Sequence, residues 1–301
     1  WAVLDLGMKL RARSHLEVIQ YAGGRWLGRI IDYVITFFLF GVFTAMAAGA
    51  GAIFAEQFQW PAILGGGMMI AITVFTVMLG LNGVITSISL VVPILLASVL
   101  GMAVWTIFDT GFLLNPVFRA VPAGSAVPFW PLSAVVYVSY NLVMAVAVLA
   151  PMGAKYQRPE VLKRGALIGG LGLGLGAVAI FLAMAPHLPA AGNYEIPMIF
   201  VAGTLSPFFQ IVYSLVLLAE IYTTAVGSLF GFVARVSSAE GNRSRYFIIG
   251  AGIVAFLASQ LGFTTLVRTL YPSVGYAGLL LLLGITYVYL VKERKPGNQP
   301  G

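Results

Sequence analysis

Apolar runs of bilayer length follow one another along this chain, separated by short segments rich in Gly, Pro and charged residues. A helix needs about 20 predominantly apolar residues, with a range of about 17–25, to cross the hydrocarbon core of a bilayer. Eight runs approach or reach that length: residues 30–55, 61–80, 84–108, 128–152, 165–186, 208–234, 246–262 and 275–291. The sequence therefore predicts a polytopic membrane protein, with residues 1–301 forming a single integral membrane domain.

The composition excludes a water-soluble globule. Of the 301 residues, 60% are hydrophobic and only 9% are charged, whereas soluble domains carry about 25% charged residues. The runs lack the alternation of polar and apolar residues that a lipid-facing barrel strand shows. An open strand in hydrocarbon would also leave backbone groups unpaired. We therefore predict an all-α bundle.

Two local features refine this prediction. The chain begins with Trp1 rather than Met, and residues 1–8 are typical of the end of a helix, so we expect that helix to start upstream. Residues 198–234 are too long for one crossing. Because proline starts helices and interrupts their interiors, Ser206–Pro207 is predicted to divide this run.

Basic residues indicate the orientation in the membrane. If the predicted spans alternate in direction, fifteen of the 17 Lys and Arg residues lie on one side. The positive-inside rule makes that side cytoplasmic and places the C-terminus inside. The net charge of +7 is thereby explained by topology, and no nucleic acid partner is needed to account for it.

Several kinds of catalytic centre are disfavoured. The chain has no Cys, which excludes disulfides, thiolate nucleophiles and Cys-ligated metals. His15 and His187 fall in predicted loops on opposite sides of the membrane and cannot share a metal. No His accompanies a serine within a span, as a serine hydrolase would require. We therefore predict no enzyme, no metal centre and no bound cofactor.

Polar side chains cluster near the middle of the run 128–152. Four of five successive positions can form hydrogen bonds: Tyr137, Ser139, Tyr140 and Asn141. A polar solute at the membrane midplane must recover the hydrogen bonds that it loses with its water, and these groups could supply them. The alternative is that the same side chains join neighbouring helices. The residues alone favour this helix-joining role over a substrate site, and both interpretations stay open at this point.

Glu220 lies close to the centre of the run 208–234. A charged residue at that depth costs about 2.5–3.5 kcal/mol on an insertion scale and is usually functional. Thr223 and Thr224 lie on the same helix face, and their hydroxyls could be oxygen ligands of Na⁺. The alternatives are a protonated structural role for Glu220 and hydrogen bonds from the threonines to their own helix.

Glycines between residues 165 and 176 have two possible interpretations. The segment Gly172–Ala177 fits a dinucleotide-binding fingerprint formally, but no strand precedes it. Pairs of glycines four residues apart are instead typical of membrane helices that approach closely. We therefore predict close helix packing at this segment.

Three segments resemble the YkvI family of bacterial membrane proteins: Met46–Gln57, Tyr137–Asn141 with Pro151–Gly153, and Glu220–Gly227. That family is similar to the amino acid–polyamine–organocation superfamily, whose members have a leucine-transporter-type fold of two inverted five-helix repeats. The resemblance implies this fold without its first helix and most of its second. It also shifts the interpretation of Tyr137, Ser139, Tyr140 and Asn141 from helix joining to a substrate site, which we therefore predict. In sodium-coupled relatives the corresponding helix provides hydroxyls that bind Na⁺, so the resemblance implies an ion site at Thr223 and Thr224.

Together, the residues and the resemblance predict an ion-coupled secondary transporter of a small polar solute, such as an amino acid, in the bacterial cytoplasmic membrane. Na⁺ or H⁺ would be the coupling ion, and alternating access the mechanism. Two alternatives belong to other classes. One is a receptor or assembly subunit that binds without transport, and the other is a membrane-embedded enzyme that acts on lipid.

Overall fold

The structure is a computed structural model that describes residues 1–12, 14–79, 82–110, 127–156, 158–236 and 242–292. Within these ranges the chain forms helices and no strand, so the predicted all-α fold class is confirmed. The helices are α1 (Ala2–Lys9), α2 (His15–Phe58), α3 (Ala62–Leu79), α4 (Asn82–Thr110), α5 (Trp130–Lys155), α6 (Pro159–Met184), α7 (Leu188–Ala191), α8 (Pro197–Leu205), α9 (Pro207–Val236), α10 (Asn242–Ser259) and α11 (Phe263–Tyr287).

Six of the described helices are long and apolar enough to cross a membrane, as judged by length and composition. They are α2, α3, α5, α6 with the 3₁₀ turn after it, α9, and α11 with the π turn after it. Pro93–Asp109 and Arg245–Ser259 are shorter apolar helical segments. Large apolar side chains cover much of the surface, with Leu173 79% exposed and Phe108 85% exposed. A surface of this kind suits contact with lipid acyl chains, and the protein is a polytopic membrane protein.

Backbone chemistry explains two interruptions of the helices. α2 contains Gly24 in a non-helical conformation with φ 80°, a value that glycine adopts without steric cost. Ser206 is extended (φ −169°, ψ 157°) between α8 and α9, because a residue before proline is disfavoured in the α region. The break predicted at Ser206–Pro207 is therefore present.

The described chain divides into two compact units. The first contains α1, α2 up to Phe38, α5, α6 up to Gly172, and α11 from Arg268. In this unit α1 packs along α5. A Cβ added at Gly7 would overlap the carbonyl oxygen of Ala150, and one added at Gly153 would overlap the carbonyl oxygen of Leu4. The two helices therefore meet backbone to backbone through these glycines.

α11 approaches α5 in a similar way. A Cβ at Gly275 would lie 2.5 Å from Cγ1 of Val136, and one at Gly278 would lie 2.6 Å from Cγ2 of Val143. Small residues let membrane helices gain dispersion contacts that larger side chains would prevent. α5 is thus held on two faces by glycine-mediated contacts.

The second unit contains the rest of α2, α3, α4, the end of α6, α7 to α10 and the start of α11. α9 is its central helix and packs against α3, α4 and α8. One apolar cluster joins Phe43 of α2, Leu229 of α9 and Ala255 of α10. Another joins Met102 of α4 and Ile221 of α9. These contacts set the rotation of α9 within the unit.

The close packing predicted for the glycines of α6 is wrong for most of them within the described structure. A Cβ added at Gly165, Gly169, Gly170, Gly172 or Gly174 would meet no atom of the described residues within 4 Å, apart from its own helix backbone. Only at Gly176 is there a close contact in this helix, 3.2 Å from Cδ1 of Leu96. Glycines four residues apart create a helix face without side chains, but this spacing does not determine whether another helix packs against that face.

Candidate substrate and ion sites

The predicted substrate residues lie on α5, in the first unit. Proline at the first turn of this helix suits a position whose N–H has no helical partner. The four residues then follow in regular helix without interruption. Because 3.6 residues form one turn, they point in several directions. The structure consequently gives the four side chains different environments.

Ser139 is fully buried, and its Oγ donates a hydrogen bond to the carbonyl oxygen of Gly275 on α11 at 2.7 Å. This contact is the helix-joining role that the sequence left open as an alternative. Asn141 is exposed, and its Nδ2 donates to the carbonyl oxygen of Tyr137 in its own helix at 2.8 Å. Its amide oxygen keeps two lone pairs as acceptors, so contact between Asn141 and a solute remains a prediction.

Tyr137 and Tyr140 belong to an aromatic cluster of four rings. The ring centres of Tyr137 and Tyr140 are 5.3 Å apart, and those of Tyr140 and Tyr271 are 5.0 Å apart and perpendicular. Phe38 contacts both Tyr140 and Tyr271 edge to face, at 6.2 and 5.3 Å. Such pairs contribute about 0.5–1.5 kcal/mol beyond their buried area. The cluster therefore brings three phenol groups together with the ring of Phe38.

Phe38 and Tyr271 were missed by the sequence argument. They lie on α2 and α11, far from α5 along the chain, and no spacing connects them with Tyr137. Aromatic residues are common in membrane helices, so the presence of a Phe or Tyr does not identify a site residue. Only tertiary packing brings these rings together.

The predicted ion-site residues lie on α9, in the second unit. Glu220 is near the middle of this 30-residue helix and is partly buried. Its Oε2 is buried and has no hydrogen-bond partner among the described residues. An unsatisfied polar atom in a buried place is unusual and calls for a physical explanation. A bound proton or cation at this carboxylate would provide one.

The two threonines differ in their surroundings. Thr223 is buried, and its Oγ1 donates to the carbonyl oxygen of Glu220 at 2.9 Å, the self-bonding alternative that the sequence left open. Thr224 is partly buried and lies one turn after Glu220. A Cβ at Gly227, on the same face, would meet no atom within 4 Å in the described part of the chain, apart from its own helix backbone. Among the described residues, the space beside Gly227 on this face is therefore open.

A hydrogen bond between side chains fixes this helix against α3. Thr76 Oγ1 lies 2.8 Å from the hydroxyl of Tyr222 and donates to the carbonyl oxygen of Ile72 at 2.8 Å. Since the threonine proton is used on its own helix, Tyr222 is the donor to Thr76. This bond holds Tyr222, two residues after Glu220, in one orientation. Within the described residues, no group of three or more His, Asp or Glu side chains could hold a metal ion.

Comparison with known proteins identifies two relatives from Bacillus subtilis. The chain is 31% identical to the uncharacterized membrane protein YkvI over 286 residues, which are 93% of this chain and 79% of YkvI. It is 25% identical to the uncharacterized protein YyaD over 293 residues, which are 94% of this chain and 81% of YyaD. No model of a known protein family matches the chain, and no solved structure matches it. Both similarities extend over nearly all of the residues described above.

Proposed function

The chain belongs to the family of the membrane protein YkvI, and we propose that it is an ion-coupled secondary transporter of a small polar solute such as an amino acid. The observation that carries this proposal is the buried Oε2 of Glu220, which lacks a hydrogen-bond partner among the described residues in the middle of an apolar helix. An ionisable group at such a depth is expensive and typically serves an ion or proton path.

In this proposal Glu220 carries a proton or balances the charge of Na⁺. Thr223 and Thr224 provide hydroxyl oxygens to the ion, and the open face beside Gly227 gives the ion access. Tyr137, Tyr140 and Asn141 contact the solute. Ser139, which is buried and bonded to the carbonyl of Gly275, holds α5 in place beside them. The inverted-repeat fold of the amino acid–polyamine–organocation superfamily is part of the proposal, and it supplies alternating access by rocking of helix bundles.

The proposal is tested with purified full-length protein in proteoliposomes. A mixture of radiolabelled amino acids is offered with an inward Na⁺ gradient, with an inward H⁺ gradient, or with neither. We expect accumulation above equilibrium only with one of the gradients. Saturable binding of solute without any flux would contradict transport and would favour the receptor or assembly subunit.

Replacing Thr224 with alanine is expected to weaken ion dependence without unfolding the protein. Loss of one oxygen ligand should lower the apparent ion affinity of uptake by about tenfold, equivalent to about 1.4 kcal/mol. The matched control is Thr286→Ala, since Thr286 is exposed and donates only to its own helix at Leu282. Unchanged ion dependence in Thr224→Ala would remove this residue from the ion site.

The proposed orientation places the C-terminus and the basic segments in the cytoplasm. Because the chain has no Cys, single cysteines can be introduced at exposed positions, Trp60 and Lys163. A membrane-impermeant maleimide should label Trp60→Cys in intact cells and Lys163→Cys only after permeabilisation. The reverse pattern would contradict the orientation derived from the positive-inside rule.

A further inference from the structure

A cavity of about 170 Å³ lies within the second unit. It is lined by the end of α2, the start of α3, the C-terminal end of α10 and the start of α11. Glu195, which precedes α8, completes the lining. A cavity that holds one water needs about 10–15 Å³, so this one has room for a small organic molecule. It shares no residue with the candidate substrate and ion sites.

Two carboxylates line this cavity. Oε1 of Glu56 accepts a hydrogen bond from the backbone N–H of Glu195 at 2.7 Å. Oε2 of Glu56 is buried and has no hydrogen-bond partner within the described chain. Glu195 also lines the cavity, and neither carboxylate pairs with a basic side chain of the described residues. The cavity therefore carries negative charge without an internal counter-charge.

The remaining polar groups of the lining present acceptors rather than donors. Ser259 Oγ donates to the carbonyl oxygen of Phe256 at 2.8 Å. The amide nitrogen of Gln260 donates to the same carbonyl at 3.1 Å and to Ser259 Oγ at 3.2 Å. With these donors engaged, Ser259 and Gln260 can offer only oxygen lone pairs to a ligand. None of the lining residues is Lys, Arg or His, so a complementary ligand is a positively charged donor.

The rest of the lining is apolar and small. It includes Ala48, Ala52 and Ala55 together with the ring of Phe263. Ca²⁺ takes 6–8 oxygen ligands, and this largely hydrocarbon lining supplies too few. An alkylammonium ion instead pairs three N–H donors with carboxylate and amide oxygens while its carbon chain contacts alanine methyl groups. An aromatic ring attracts cations as well.

We propose that this cavity is a binding site for a small organic molecule with a primary ammonium group, held by Glu56 and Glu195. The ammonium lies between the carboxylates of Glu56 and Glu195, and the carbon chain lies along the alanines. The site does not depend on transport, because its residues are separate from Glu220 and from the aromatic cluster. Ala55 limits the volume available to the carbon chain.

Calorimetric titration of the full chain in neutral detergent with propylammonium tests the site. We expect saturable binding of propylammonium and none of propanol or propionate, which match its size but lack the charge or carry the opposite one. Glu56→Gln keeps an oxygen for the N–H of Glu195 and removes the charge. It should weaken propylammonium binding by at least about tenfold. Ala55→Leu fills the cavity without changing charge and should abolish binding.

Glu160→Gln is the matched control, because Glu160 is 84% exposed and its ion pair with Arg164 is 3.9 Å long. Each variant should melt at the temperature of the unchanged protein when no ligand is present, which shows that it is folded. The proposal is overturned if propanol binds as tightly as propylammonium, if Glu56→Gln and Ala55→Leu both bind normally, or if no saturable binding occurs. Displacement of propylammonium by millimolar Ca²⁺ would likewise overturn it in favour of a metal site.

Discussion

Gly153→Val is expected to separate α1 from α5 and to destabilise the protein. A Cβ at Gly153 would overlap the carbonyl oxygen of Leu4, which is backbone and cannot rotate away as a side chain can. The two helices would have to separate, and the reciprocal contact of Gly7 with Ala150 would be lost with them. Overpacking costs about 1–3 kcal/mol and more where the backbone must shift. We expect the upper end of that range, measured as a lower melting temperature and as aggregation in size-exclusion chromatography.

Gly169→Val is the matched control for this prediction. The substitution is the same, and Gly169 also lies in an apolar helix of the first unit. Outside its own helix backbone, however, a Cβ there meets none of the described atoms within 4 Å. Its melting temperature should stay close to that of the unchanged protein. Equal destabilisation by Gly153→Val and Gly169→Val would show that loss of glycine itself, and not the close approach of α1, determines the effect.

The comparison of these two glycines shows what sequence can and cannot predict about packing. Regular spacing in α6 predicted a packed face, yet the described structure leaves that face largely open. Among the described glycines, the closest approach to the backbone of another helix occurs instead at Gly7 and Gly153, which are isolated glycines without such spacing. A periodic pattern describes one helix, whereas a crossing depends on two, and the sequence does not state which helices are neighbours.

The fold class was predictable for a simple physical reason. Backbone groups in hydrocarbon must be paired within the segment, so run length and composition suffice to predict helices. The break before Pro207 was predictable as well, because proline acts on its immediate neighbours. Both predictions depend only on residues that are close together in the sequence.

The candidate sites were only partly predictable. Depth along a span identified Glu220, since a charge in an apolar run is conspicuous. The two interpretations of Ser139 could not be separated, because the choice depends on whether the carbonyl of Gly275 lies opposite. Glu56 and Glu195 are joined by a hydrogen bond across 139 residues of sequence. No spacing rule predicts such a contact, so the cavity that they line emerged only from the structure.

Glu220→Gln is expected to abolish uptake driven by an ion gradient while the protein remains folded. Glutamine has nearly the shape of glutamate but can neither carry a proton nor balance a cation. Oε2 has no hydrogen-bond partner among the described residues, so the substitution breaks no described bond at that atom. Removing one partner of a buried charge pair costs about 2–5 kcal/mol. Gradient-driven uptake should therefore fall by at least about 30-fold.

The proteoliposome assay separates the two roles proposed for Glu220. If the residue carries a proton, Glu220→Gln loses accumulation driven by the H⁺ gradient but still exchanges labelled for unlabelled solute. If it balances Na⁺, uptake driven by the Na⁺ gradient recovers at high Na⁺ concentration, and Glu220→Asp recovers part of that uptake at low Na⁺ concentration. Glu160→Gln, at an exposed carboxylate whose ion pair contributes little, should transport normally. Uptake by Glu220→Gln with unchanged rate and ion dependence would contradict the proposal, because a neutral side chain would then suffice at the one position whose charge the mechanism requires.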